Sequence, residues 1–171
     1  IDTLFFTVAK GLSARQIVLL TTVSSFFSLI CRITLVRIIG KMCNTKSVRI
    51  GIGLLLLSSI VITFGTSYLW MLVGKIIYEI AWVFKDMESV MLKNNLVLLG
   101  KENDFAKITN KDMNLYAFLT LIIALSSGFL FNINPYLPMY ICITICFASF
   151  IMYFYMKDIS NNNTIIIKGK K

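Results

Sequence analysis

The feature that most limits what this chain can fold into is a repetition of apolar stretches about as long as a bilayer is thick. An α-helix rises about 1.5 Å per residue, so about 20 residues cross about 30 Å of hydrocarbon. Residues 14–39, 48–65, 68–92, 113–131 and 136–156 each supply such a stretch, separated by polar or Gly/Pro punctuation. Residues 1–9, IDTLFFTVA, are too short to span and read as the tail of a helix. Ser13 is suited to cap the helix that starts at Ala14. Residues 94–112, NLVLLGKENDFAKITNKD after Asn94, read as a polar connector.

Composition enters as a question of burial. Hydrophobic residues make up 57% of the 171, and charged residues only 15%. Soluble domains carry about a quarter charged residues, and a chain of this size leaves much of its surface in contact with its surroundings. A bilayer lets those outward faces be apolar. The expected fold class is therefore all-α integral membrane: a multi-span helical bundle over residues 1–158, then a polar basic tail or inter-half linker at 159–171.

Charge sets the expected orientation. Arg37, Lys41, Lys46, Arg49, Lys93, Lys101, Lys107, Lys111, Lys157, Lys168, Lys170 and Lys171 gather at one set of helix ends. Lys10 and Arg15 mark the other, where GTSY and NINPYLP are uncharged. By the positive-inside rule, loops 40–47 and 93–112 and the C-terminal tail are cytoplasmic in a multi-pass cell-membrane protein. The net charge of +9 then reflects basic loops beside anionic lipid and implies no nucleic acid.

Ionisable groups at membrane depth are costly and need a reason. The fourth stretch holds Lys75, Glu79, Lys85, Asp86 and Glu88. At about 100° per residue, Lys75, Glu79, Asp86 and Lys93 fall on one narrow stripe, which should face protein or a water-filled cavity. From Tyr68 inward, Lys75 lies about 10 Å deep, Glu79 about 16 Å and Asp86 about 27 Å. Thr21, Ser25, Ser28 and Arg32 form a polar face on the second stretch, with Arg32 at the depth of Asp86. Asp2, about 12 Å in, matches Lys75. Two readings stay open: these groups border a solute path, or they pair to hold helices in register. Glu88 lies on another face and reads as solvated.

Other features are blander. Cys31, Cys43, Cys142 and Cys146 lack metal-ligand spacing and read as small buried hydrophobes, and the chain has no histidine. Gly51 with Gly53, and Ala124 with Gly128, are small residues suited to close helix packing. No nucleophile–base pair, Gly-rich phosphate loop or metal cluster suggests an enzyme, and no cofactor is implied.

The layout resembles the major facilitator superfamily, whose six-span halves consist of two inverted three-helix repeats. A short basic loop joins the second and third helices, the third and fourth connect tightly, and a charged connector follows the fourth. LVRIIGKMCNTKSVRIG stands where the family has the loop signature Gly-x-x-x-Asp-Arg-x-Gly-Arg-Lys. Lys41 and Lys46 fit its basic positions, while Gly40 stands where the acidic residue is expected and Cys43 where a glycine is. Lys75 stands at the place of a basic residue common on the fourth helix.

Over residues 1–158 the resemblance implies an N-terminal half of a transporter of about twelve helices, most of helix one and the C-terminal half being absent. It implies that helices one, two, four and five line a cavity, with three and six outside. The function expected is secondary active transport of a small solute by alternating access. Asp2, Arg32, Lys75, Glu79 and Asp86 are the candidates for the solute path or for coupling, with a proton as the coupling ion on Glu79. Gly40, Lys41 and Lys46 are the gating-loop candidates. The partners implied are the lipid bilayer, the solute and the missing half. The rival expectation is a non-transporting membrane protein, either an assembly partner or a degenerate transporter remnant.

Overall fold

A computed structural model describes residues 2–39 and 44–155. The described residues form seven helices: α1 Asp2–Val8, α2 Ala14–Ile39, α3 Asn44–Phe64, α4 Tyr68–Lys85, α5 Met87–Leu98, α6 Asp104–Ile133 and α7 Leu137–Tyr155. Among the described residues there is no strand. Four of these helices contain segments long and apolar enough to cross a membrane: Ala14–Leu35, Thr45–Phe64, Asp104–Ile133 and Leu137–Tyr155.

Local chemistry sets the ends. At the start of α2, the Gln16 N–H donates to Ser13 Oγ at 3.3 Å, and the Ser13 N–H donates to Gln16 Oε1 at 2.9 Å. This is a reciprocal capping box that satisfies two donors a helix start leaves free. Ser67 caps α4 by accepting from the Trp70 N–H. Asn134 Oδ1 accepts from the Tyr136 N–H at 2.8 Å in the turn before α7, whose first turn tolerates Pro138.

Two boundaries differ from the sequence expectation. The fourth stretch is not one helix to residue 92, because a local break at Asp86 separates α4 from α5. Residues 94–112 are mostly helical rather than an irregular connector. Helix α5 runs to Leu98, and α6 starts at Asp104. Between them Gly100 takes φ +67, and the Lys101 N–H reaches Leu96 O at 2.9 Å while the Gly100 N–H reaches Val97 O at 3.1 Å. That is a Schellman stop, for which glycine's freedom at positive φ is suited. Hydropathy signals what surrounds a helix and not whether a helix forms, so polar helical turns look like loop by that measure.

Helix α3 lies at the centre of the packing, against α4, α5 and α7, while α4 also packs on α2. Glycines allow the close approach. A Cβ on Gly51 would meet Lys85 N and Phe84 Cβ at 3.0 Å, and one on Gly74 would meet Ile62 Cγ1 at 2.7 Å. Gly53 lies against Phe150. The expectation for Gly128 was different: nothing lies within 4 Å of its Cβ position, because α6 is peripheral there. Phe5, Phe6, Leu12, Ile17, Leu20, Ile62, Met71, Phe131 and Met139 make the larger apolar core, at the end where the turns after α1, α3 and α6 meet. Cys43 lies outside the described residues. The described cysteines are not fully buried as expected: Cys142 is exposed, and Cys31 and Cys146 are half-buried. They sit on outward parts of α2 and α7, where a thiol is as compatible with an apolar surrounding as with a core.

Candidate functional site

The stripe on α4 is turned toward α1 and α2, and charge pairs tie the three together. Arg32 of α2 donates through Nη2 to Asp86 Oδ2 at 2.8 Å, at the junction of α4 and α5. Lys75 donates through Nζ to Asp2 Oδ2 at 3.3 Å and stands 4.0 Å from Glu79 Oε1, one turn along α4. The depth matches read from the sequence, Arg32 with Asp86 and Asp2 with Lys75, therefore correspond to contacts. The contacts themselves leave both roles open, since a path lining and a register lock both bring opposite charges together.

Exposure separates the two pairs. The Lys75 side chain is only 11% exposed, but its partner Asp2 is 49% exposed. Arg32 and Asp86 expose 57% and 52% of their side chains on the surface of the isolated chain. Glu79 is half-buried. On α2, Ser25 is exposed, Thr21 and Ser28 are half-buried, and Thr21 returns its hydroxyl hydrogen to the Ile17 and Val18 carbonyls. The polar face of α2 and the charged stripe of α4 thus meet along one side of the bundle. Of the gating-loop candidates, Lys46 is exposed in the first turn of α3. Gly40 and Lys41 lie outside the described residues, as does the tail at 159–171.

The sequence reading missed four contributors. Tyr78 and Trp82 border the α4 stripe; the Lys75 ammonium lies 4.4 Å from the Tyr78 ring centre, and Tyr78 meets Trp82 edge-on at 6.1 Å. At about 100° per residue Trp82 falls about 20° and Tyr78 about 60° to one side of Lys75, flanking the charged arc and not within it. The other two are Lys10 and Arg49. Lys10 donates to Thr63 O at 2.7 Å and to Gly65 O at 2.9 Å, beside the rings of Phe5 and Tyr136. Burial lowers its pKa from the ordinary lysine range. Arg49 donates to Tyr153 O at 3.0 Å and Phe154 O at 2.9 Å. Lys10 thereby satisfies carbonyls that the C-terminus of α3 leaves without partners and opposes its negative dipole end, and Arg49 ties α3 to the last described turn of α7. Glu88 is not simply solvated: it is half-buried and accepts a hydrogen bond from Tyr153 Oη.

Two concavities lie away from the charges. A shallow groove of about 440 Å³ is lined by Leu4, Val8, Leu125, Gly128 and Phe129 between α1 and α6. A second, of about 500 Å³, is formed by α7 alone, around Phe150 and Phe154. Neither is lined by an acidic or basic side chain. Among the described residues, no group of three His, Cys, Asp or Glu is placed to hold a metal.

The class this fold defines is an all-helical bundle with four helices long and apolar enough to cross a membrane. Compared with known proteins, the chain matches no family model, and no curated protein or solved structure matches it significantly.

Proposed function

We propose that the chain is an N-terminal half or fragment, with five full spans and part of a sixth, of a secondary transporter that moves a small solute by alternating access, of the kind found in the major facilitator superfamily. In this reading α2, α3, α4 with α5, α6 and α7 are five full spans, and α1 is the remnant of a sixth. The observation that carries it is the pair of cross-helix ion contacts on one side of the bundle, Arg32–Asp86 and Lys75–Asp2, whose members stay largely exposed on the isolated chain except for Lys75. Charged side chains at membrane depth do not face lipid, so this side borders water or protein. A second unit set against it completes a path with polar walls on α1, α2 and α4. Glu79, about midway along the crossing, is the coupling candidate, with a proton as the ion.

The placement belongs to the same proposal: a cell-membrane protein with Lys46 and Lys107 on the cytoplasmic side and Ser67 and Asn134 outside. Single cysteines at these positions, with the four native cysteines replaced, should label from outside only at 67 and 134.

Alternating access has a test that needs no knowledge of the solute. Ser25→Cys, in the same cysteine-free background, should react with an impermeant maleimide from either side of oriented vesicles. Reaction from one side only, or from neither, supports a non-transporting membrane protein and ends the transport reading.

A further inference from the structure

The environment of the Lys75 ammonium indicates what kind of solute the path accepts. Two carboxylates flank it, Asp2 at 3.3 Å and Glu79 at 4.0 Å, and the Tyr78 ring centre lies 4.4 Å away. Carboxylates supply charge-assisted contacts to a cation, and an aromatic face attracts one through its quadrupole. The three groups make a surround that recognises a positive charge carried on an apolar body. Two carboxylates against one ammonium also leave the cluster one negative charge in excess.

The occupant is a side chain on a flexible four-carbon stem, so it can leave without any backbone movement. Its hold is uneven. Asp2 lies within hydrogen-bond distance, but Glu79, at 4.0 Å, receives no hydrogen bond among the described residues. The aromatic lining continues past Lys75. Trp82 meets Tyr78 edge-on, is 36% exposed, and has the Lys85 ammonium 4.8 Å from its centre. Each of the two rings therefore already has a lysine over it. An anionic solute would meet two carboxylates here, and the guanidinium of Arg32 is engaged by Asp86 at 2.8 Å.

We propose that the solute class is an organic cation with apolar groups, bound by Asp2 and Glu79 against Tyr78 and Trp82 in the place the Lys75 ammonium now fills. This rests on the reading of the α4 face as a solute path. Lys75 is then an internal competitor: it offsets one of the two negative charges when the site is empty and swings away when the solute enters.

Tetraphenylphosphonium and tetraphenylborate, of nearly the same shape and opposite charge, test this by saturable binding to the protein in lipid nanodiscs. The phosphonium should bind saturably and the borate should not. Lys75→Met should tighten phosphonium binding by about tenfold, the equivalent of about 1.4 kcal/mol, because the competitor is gone. A gain of affinity cannot come from misfolding. Asp2→Asn combined with Glu79→Gln should weaken it by at least about tenfold. Weakening by Lys75→Met overturns the proposal, because Lys75 is then not occupying the site of the cation. Saturable borate binding without phosphonium binding overturns the solute class and leaves the path reading standing. If neither probe binds saturably, the path reading fails along with the class.

Discussion

Helices α4 and α6 are close in length to a membrane crossing or longer, yet their sequences follow opposite rules. Helix α4 carries Lys75, Glu79 and Lys85 and buries Met71, Gly74, Lys75, Ala81, Val83 and Phe84 against its neighbours. Helix α6 extends over 30 residues and buries only Phe131. Of the apolar windows, 44% is buried in α3, which α4 covers, and 6% in α6. Apolarity does not separate those two windows, since both could cross a membrane. What differs is where charge sits, because α4 carries Lys75 and Glu79 within its packed length while α6 has no charged residue from Met113 to Ile133. In a bilayer that follows directly: lipid-facing positions must be apolar, while positions against protein can hold charge if it is paired. The paired charges of α4 sit where it meets other helices, and the uncharged stretch of α6 from Met113 to Ile133 is the surface left mostly exposed.

The largest break in this comparison should come from glycines. Gly51→Leu would force a side chain into the Lys85 backbone and Phe84 Cβ, both 3.0 Å from the Cβ position. Overpacking of this kind costs about 3 kcal/mol or more where backbone blocks relaxation. Gly128→Leu on α6 meets nothing within 4 Å and should change stability by no more than about 0.5 kcal/mol. Thermal unfolding in detergent compares the two; equal losses would mean that α6 is packed and not peripheral.

A smaller effect is expected at Lys10. Lys10→Met removes two charge-assisted hydrogen bonds to the α3 terminus and the ring contacts with Phe5 and Tyr136. The expected loss is about 2 kcal/mol, with proteolysis appearing first near the 65–67 turn. Unchanged stability would show that the Thr63 and Gly65 carbonyls find other donors.

The stripe itself should give the smallest change in stability and the most specific one. Arg32 and Asp86 are half-exposed on the isolated chain, so either alanine variant should cost only about 1 kcal/mol. The double variant should cost less than either single one, because no charge is left without its partner. Exchanging the two, Arg32→Asp with Asp86→Arg, should restore what the single changes lose. Additive losses in the double variant would mean the two residues act independently.

How much of this was legible follows from what each signal encodes. The starts of α2 and α4 could be read from Ser13, Ser67 and the onset of apolar residues. The meeting of Arg32 with Asp86 could be read from depth alone, because helix rise converts residue counts into distance. The start of α6 at Asp104 could not, since DFAKITNKD is polar and hydropathy is silent on helix formation outside an apolar surrounding. Nor could the clasps at Lys10 and Arg49 be seen. A sequence does not show which distant cation reaches a given backbone carbonyl, across 53 residues from Lys10 to Thr63 or 104 from Arg49 to Tyr153. The misread of Glu88 has the same origin, since its partner Tyr153 lies on another helix.

The central claim is that the α4 stripe borders water while α6 borders lipid, and spin-label accessibility measures that contrast at matched depth. Nitroxides at Trp82→Cys on α4 and Leu119→Cys on α6, in reconstituted protein, report collisions with a water-soluble nickel chelate and with lipid-soluble oxygen. The account predicts that nickel collisions dominate at position 82 and oxygen collisions at position 119. Oxygen dominance at both positions would contradict it, because the charged side of α4 would then lie in lipid and no aqueous path would run beside it.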